Sequence, residues 1–158
     1  MTLSAGDRLD LIELQNVYAW GIDGKDATQF ESVFTDDIEA RYTTLMQMQG
    51  REQLSRWLET FYAPYDATQH VFANFTFMSD DDGIVMRSYV VAHLFVRDYP
   101  GGENLASHGC YLDRVVRAAD GWRVRSRQIN NLWREGNAGL LDVGGKAVEN
   151  SARTPSAS

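Results

Sequence analysis

The chain is poor in the residues that staple, punctuate or anchor a fold. Its 158 residues include one cysteine, three prolines and three histidines. One cysteine forms no internal disulfide and cannot build a cysteine zinc site. No apolar run approaches the roughly 20 residues that span a bilayer. The opening MTLSAGDRLD lacks the basic start and apolar stretch of a secretion signal. Positive charge is also scarce, with 15 Lys and Arg against 22 Asp and Glu, for a net −7. That balance argues against a nucleic-acid footprint and against binding to an anionic membrane surface. Phosphate loops, dinucleotide fingerprints and nucleophile elbows are missing. The histidines lack the spacing of metal ligands, so the expectation is no metal and no cofactor. A single cytoplasmic domain remains, long enough to bury about 70% of its unfolded surface. What the chain does have is aromatic residues, at 11%, with four tryptophans and seven tyrosines. They point to a thick core or to an apolar ligand pocket.

The first half reads as helices. Ser4 and Asp7 resemble a capping box, and Leu11, Leu14, Tyr18 and Ile22 follow at helical spacing to a stop at Gly24. Asp26 is placed to cap a short helix through Phe30, and residues Ile38–Thr44 read as a strand. Gly50 precedes a third helix with a Leu54, Trp57, Leu58 and Phe61 stripe. The second half reads as strands over Thr68–Met78, Ile84–Val96, Leu105–Arg117 and Trp122–Leu132. Helices followed by consecutive strands imply an α+β domain, with helices on one face of an antiparallel sheet and a ligand site between the layers. The domain is expected over residues 1–134. Residues 135–158, rich in Gly, Ala and Ser, are expected to be a largely flexible extension.

Candidate residues are ionisable groups at positions where burial is expected. Asp23 stands in the last turn of the first helix, against the negative end of the helix dipole. His70 opens an apolar strand and, by alternation, shares a face with Phe72 and Asn74, opposite Val71, Ala73, Phe75 and Phe77. His93 interrupts a still more apolar strand and must find a partner there. Tyr18, Trp20 and Tyr42 are aromatics beside these elements. Arg123, Arg125 and Arg127 alternate along the last strand, which fits a solvated face, although one of them could bend inward. Trp20, Tyr42, Phe72, Tyr89 and Phe95 cluster in sequence around Asp23, His70 and His93. They are read as part of a pocket wall.

Taken in order, four segments carry a resemblance: Tyr18 to Asp23, Phe34-Thr35-Asp36-Asp37, Thr68-Gln69-His70, and the Asp-Gly-Trp turn at 120–122. They resemble the nuclear transport factor 2-like superfamily, in its SnoaL-like branch, which includes scytalone dehydratase, bile acid 7α-dehydratase and the lindane dehydrochlorinase. The likeness spans roughly residues 7–134. It implies a cone-shaped barrel, with the N-terminal helices packed on the concave face of a strongly curved, mainly antiparallel sheet. It also implies an Asp23–His70 dyad acting as general base, with His93 and Tyr42 as further catalytic groups. Tyr18, Arg127, Trp20, Phe72 and Asn74 are then expected to bind substrate. Ile22 departs from scytalone dehydratase, which has a tyrosine there.

The expected function is a cofactor-independent lyase, of the dehydratase type, acting on a small hydrophobic cyclic or aromatic molecule. The same dyad would serve an isomerase or a polyketide-type cyclase, and the same fold serves non-catalytic small-molecule binding. The resemblance also implies a homo-oligomer, trimer or dimer, formed through the outer sheet face.

Overall fold

The computed structural model describes residues 2–42 and 46–153. Helix α1 (Ala5–Asp23) begins with a reciprocal cap. The Asp7 N–H donates to the Ser4 hydroxyl at 3.1 Å, and the Ser4 N–H donates back to the Asp7 carboxylate at 3.0 Å. Aspartate therefore serves where glutamate is usual in this motif. One stripe of α1 buries Leu11, Leu14, Tyr18 and Ile22, and each large apolar side chain so buried contributes about 1.5–3 kcal/mol. Helix α2 (Ala27–Glu31) is capped by Asp26, which accepts the Gln29 N–H at 3.2 Å. Strand β1 (Phe34–Arg41) starts four residues before the expected Ile38, and the expected Thr43 and Thr44 lie outside the described residues. A three-residue strand, β2 (Gln47–Gln49), pairs back on β1. It is too short and too polar to leave an alternation signal. Helix α3 spans Arg51–Tyr62.

Four long strands follow as an antiparallel meander: β3 (Ala67–Asp80), β4 (Gly83–Phe95), β5 (Asn104–Ala118) and β6 (Gly121–Gly136). Strand β1 returns to pair in parallel with β6, giving the order β2-β1-β6-β5-β4-β3. Helix α1 packs across the inner face of β3 and β6, and α3 packs against β1. The result is an α+β fold with the helices on one face of a mixed, mainly antiparallel sheet.

Register shifts decide which side chains face inward. In β3 the pairing slips between Ala73 and Thr76, and Asn74 takes a left-handed φ of 55°. Asparagine tolerates that conformation better than most residues. One extra residue reverses the phase of everything beyond it. Phe75 and Phe77 therefore join Phe72 against the core, whereas simple alternation would put them on the opposite face. Strand β6 slips too, with Val124 facing Val115 and Ser126 facing Arg114. Arg125 is the extra residue, so Arg127 turns fully inward while Arg125 stays outside and pairs with Asp37.

The C-terminal segment corrects the expectation of a flexible extension from residue 135. After β6 the chain makes a 3-10 turn over Ala138–Leu140 and a helix, α4 (Leu141–Arg153), that packs on α3. Asn137 fastens its start by donating to the carbonyls of Pro100 and Gly102, both at 2.9 Å. The Tyr65 hydroxyl donates to the Leu140 carbonyl at 2.8 Å and accepts the Gly144 N–H at 3.3 Å. A Cβ on Gly144 would come within 2.7 Å of Phe61. The glycine content read as looseness is thus partly a requirement for close helix packing. Residues 154–158 lie outside the described residues. Among the described residues, no helix is long and apolar enough to cross a membrane.

Candidate active site

Asp23 ends α1 where the helix meets β3, and its carboxylate is satisfied from three sides. The backbone N–H of His70 donates to Oδ2 at 2.7 Å, and the Thr68 hydroxyl donates to Oδ1 at 2.9 Å. The His70 ring completes the set, with Nδ1 2.7 Å from Oδ1. Burial alone would push the Asp23 carboxyl up, but the hydrogen bonds and charge of His70, helped by Thr68, outweigh it and hold the group below 3.8. These donors also offset the unfavourable helix end noted above. An ionised carboxylate only accepts, so Nδ1 carries the ring proton. In the neutral form of the ring Nε2 is then an acceptor, and the Tyr62 hydroxyl stands 3.2 Å from it, placed to donate.

His70 opens onto a cavity of about 430 Å³. Trp57, Phe61 and Tyr62 of α3 form one wall, and Val90, Ala92, Leu94, Tyr111 and Ile129 of the sheet form another. Leu141, Gly145 and Val148 of α4 close a third side. The lining is mostly apolar. At the buried end stand His70, Tyr42, Tyr62 and Tyr111, at the exposed end Asn131, Arg134 and Glu149, and Ser107 adds a half-buried hydroxyl. Burial pushes the phenols of Tyr42, Tyr62 and Tyr111 well above their usual range, so they remain neutral hydrogen-bond donors. Among the described residues, no three ligating side chains converge to hold a metal.

A second buried polar cluster lies beneath this cavity without lining it. Arg127 Nε and Nη2 each donate to a different Asp113 oxygen at 2.8 Å, and Nη2 also donates to Gln15 Oε1 at 2.7 Å. The guanidinium lies over the rings of Tyr18, Tyr111 and Phe34, at 4.2, 4.7 and 5.1 Å. Burial opposes its charge, but the Asp113 carboxylate outweighs burial and holds Arg127 well above its usual range. Above the guanidinium, the hydroxyls of Tyr18 and Tyr42 meet at 3.1 Å.

The expected site residues therefore separate. Asp23, His70 and Tyr42 come together, His70 and Tyr42 at the inner end of the cavity. Tyr18, Phe72 and Arg127 form the packing behind it rather than its lining. Phe72 sits edge-on to Tyr111 at 5.1 Å. Three expectations are corrected outright. Trp20 is 74% exposed, because it falls on the solvent side of α1. Asn74 is turned outward by the β3 bulge. His93 is exposed on the outer sheet face, because the register sets Ala92, not His93, opposite His70. Tyr89 is likewise half exposed on that outer face. Phe95 lines no part of the cavity. Tyr62, Tyr111, Asn131 and the α4 residues escaped the sequence reading. The α3 stripe of Trp57 and Phe61 signalled a wall, but nothing local marked which helix would face it.

Comparison with known proteins agrees with this architecture. A model of the SnoaL-like domain matches residues 4–128. No curated protein matches the chain. Similar solved structures include a protein assigned as an aromatic ring hydroxylase from Novosphingobium aromaticivorans, with 23% identity and a TM-score of 0.78 over 89% of this chain and 99% of that one. Another, assigned as a scytalone dehydratase from the same organism, has 19% identity and a TM-score of 0.73 over 82% and 87%. A hexachlorocyclohexane dehydrochlorinase has 18% identity and a TM-score of 0.72 over 86% and 95%. At these identities the likeness speaks for the fold.

Proposed function

The chain belongs to the SnoaL-like domain family, and on that premise we propose that it is a cofactor-independent lyase, of the dehydratase type, acting on a small hydrophobic cyclic or aromatic substrate. One observation carries the reading: His70 is pinned through Nδ1 to a part-buried carboxylate while its ring lines an apolar cavity. Asp23 fixes the tautomer and ring orientation, as carboxylates do for catalytic histidines. His70 Nε2 removes a proton from a carbon made acidic by an adjacent carbonyl. The negative charge that develops on the carbonyl oxygen is met by the Tyr42 hydroxyl, which is hydrogen-bonded to the Tyr18 hydroxyl behind it. Expulsion of a hydroxyl on the neighbouring carbon completes the elimination. The names of two structural relatives, a scytalone dehydratase and a dehydrochlorinase, fit that chemistry. The volume suits a molecule of one or two fused rings.

The test is a screen of cyclic hydroxy ketones with His70→Ala as control. Loss of this base is expected to lower turnover by about 10²–10⁴-fold while the variant stays folded. A His70→Ala protein that turns over the same compound at the native rate overturns the proposal. Rearranged or cyclised products in place of water loss would move the assignment to an isomerase or cyclase. We further propose that the outer sheet face, where Val71, Tyr89 and Trp133 are each about half exposed, is a self-association surface.

A further inference from the structure

The base in this site is not free. The only hydrogen bond that the structure gives the Tyr62 hydroxyl, among the described residues, is the one it shares with His70 Nε2 at 3.2 Å, in which the hydroxyl is the donor whenever the ring is neutral and Nδ1 holds the proton. Nε2 is the nitrogen that has to take the substrate proton. Tyr62 comes from the last turn of α3, and its ring is held edge-on to the imidazole, with centroids 5.5 Å apart. Phe61 and Tyr65 pack against the same ring. Tyr62 also lines the cavity. The hydroxyl that meets the base thus belongs to a side chain bordering the space where a substrate would sit. We propose that Tyr62 is a catalytic residue that caps the base at rest and then carries the abstracted proton to the leaving group. The inference rests on the reading of His70 as the base.

The protons balance. On binding, the substrate's departing hydroxyl takes the place of Nε2 as acceptor of the Tyr62 O–H, which uncovers the nitrogen. His70 Nε2 then removes the proton from carbon, and the C–H electron pair passes into the enolate. In the second half, the imidazolium Nε2–H is given to the Tyr62 oxygen as the Tyr62 proton is given to the departing oxygen. The enolate collapses, the C–O bond breaks and water leaves. Both residues return to their starting states. Tyr62 cannot replace His70 as the base, because burial and the neighbouring Tyr42, Tyr65 and Asp23 all push its phenol upward, away from the phenolate. Its function is to hand on a proton. A further consequence is geometric: proton and hydroxyl leave from the same face of the substrate, the one that looks toward α3.

The experiment uses Tyr62→Phe, which keeps the ring and its packing, with 3-hydroxy-1-tetralone as probe in heavy water. Two rates are read on one sample: release of 1-naphthol, and deuterium uptake by recovered ketone at the carbon between its carbonyl and its carbinol. Tyr62→Phe is expected to slow naphthol release about 10²-fold, as for loss of a general acid, while deuterium uptake continues. Equal loss of both rates would make Tyr62 a structural support, and loss of neither would make it a bystander. Either result overturns the relay. His70→Ala distinguishes the underlying reading, since deuterium uptake that survives in that variant would refute the base itself. A second measurement needs no substrate. The ¹⁵N resonance of His70 Nε2 is expected to shift between the native protein and Tyr62→Phe, and an unchanged resonance would show that the hydroxyl does not cap it.

Discussion

Among the described residues, two carboxylates are paired with basic side chains inside the fold, Asp23 with His70 and Asp113 with Arg127, and the pairs differ in one respect that decides what each can do. Asp23–His70 is part-buried and joins a helix end to a long strand, Asp113–Arg127 is fully buried and joins two long strands, and both are hydrogen-bonded at 2.7–2.8 Å. The Arg127 side chain is fully buried and does not line the cavity that His70 borders. Its cation is enclosed by three aromatic rings, and its charge is fixed at any ordinary pH. His70 has one nitrogen on a carboxylate and the other on the Tyr62 hydroxyl beside an apolar cavity, and an imidazole ring can gain and lose a proton. The sealed pair holds the sheet to α1 through Gln15, and the open pair borders the space where a substrate would bind. Access, not composition, separates the structural cluster from the reactive one.

The comparison can be broken most directly at the carboxylates. Asp23→Asn is expected to lower turnover by about 10²–10⁴-fold, because an amide can donate to Nδ1 and so favour the wrong tautomer. Thermal unfolding of the same variant should move far less than its activity. Asp113→Ala should reverse that pattern. It strands the Arg127 charge in the core and should cost about 3–5 kcal/mol in chemical denaturation, with turnover per folded molecule near native. If both variants lose activity without stability, or stability without activity, the distinction fails.

Acid titration sharpens the same contrast. The folded Asp23 carboxyl lies below 3.8. Its contribution to stability is therefore whole above its unfolded value and is lost as pH falls through the lower folded one. The stability gap between the native protein and Asp23→Asn should hold steady at neutral pH and close below about pH 4. A gap that does not change on acidification would show that the carboxylate is not stabilised by folding. The smallest effects belong to residues that sequence reasoning placed in the site and the fold placed outside it. Trp20→Ala and His93→Ala should leave turnover unchanged and shift stability by less than about 0.5 kcal/mol, as exposed positions do. A large loss of turnover in His93→Ala would return that residue to the site.

What could be read from the sequence were the signals that act locally. The Ser4 and Asp7 cap, the stop at Gly24 and the Asp26 cap each depend on neighbours within four residues, and each is found as read. Asp23 and His70 were legible through resemblance and through the oddness of an acid at a helix C-terminus. The failures share a physical cause. Asn74 and Arg127 were misplaced because a single extra residue inverts strand phase, and bulges have no strong sequence mark. His93 was misplaced because inter-strand register is a long-range property. The α4 wall was missed because Gly144 and Gly145 dilute its apolar stripe, although Leu141, Val148 and the close Gly144–Phe61 approach all need a helix there.

The parallel pairing of β1 with β6 has a kinetic side. It sets Phe34 beside Val124, so a loop of about ninety residues must close before that contact forms. The β3–β6 meander closes only short turns and can form first. Helix α1 and strand β1 must then find a template that already exists. Asp23 belongs to the part closed by the long loop and His70 to the meander, so on this order the imidazole is placed before its carboxylate arrives. Folding, on this order, ends where reactivity begins.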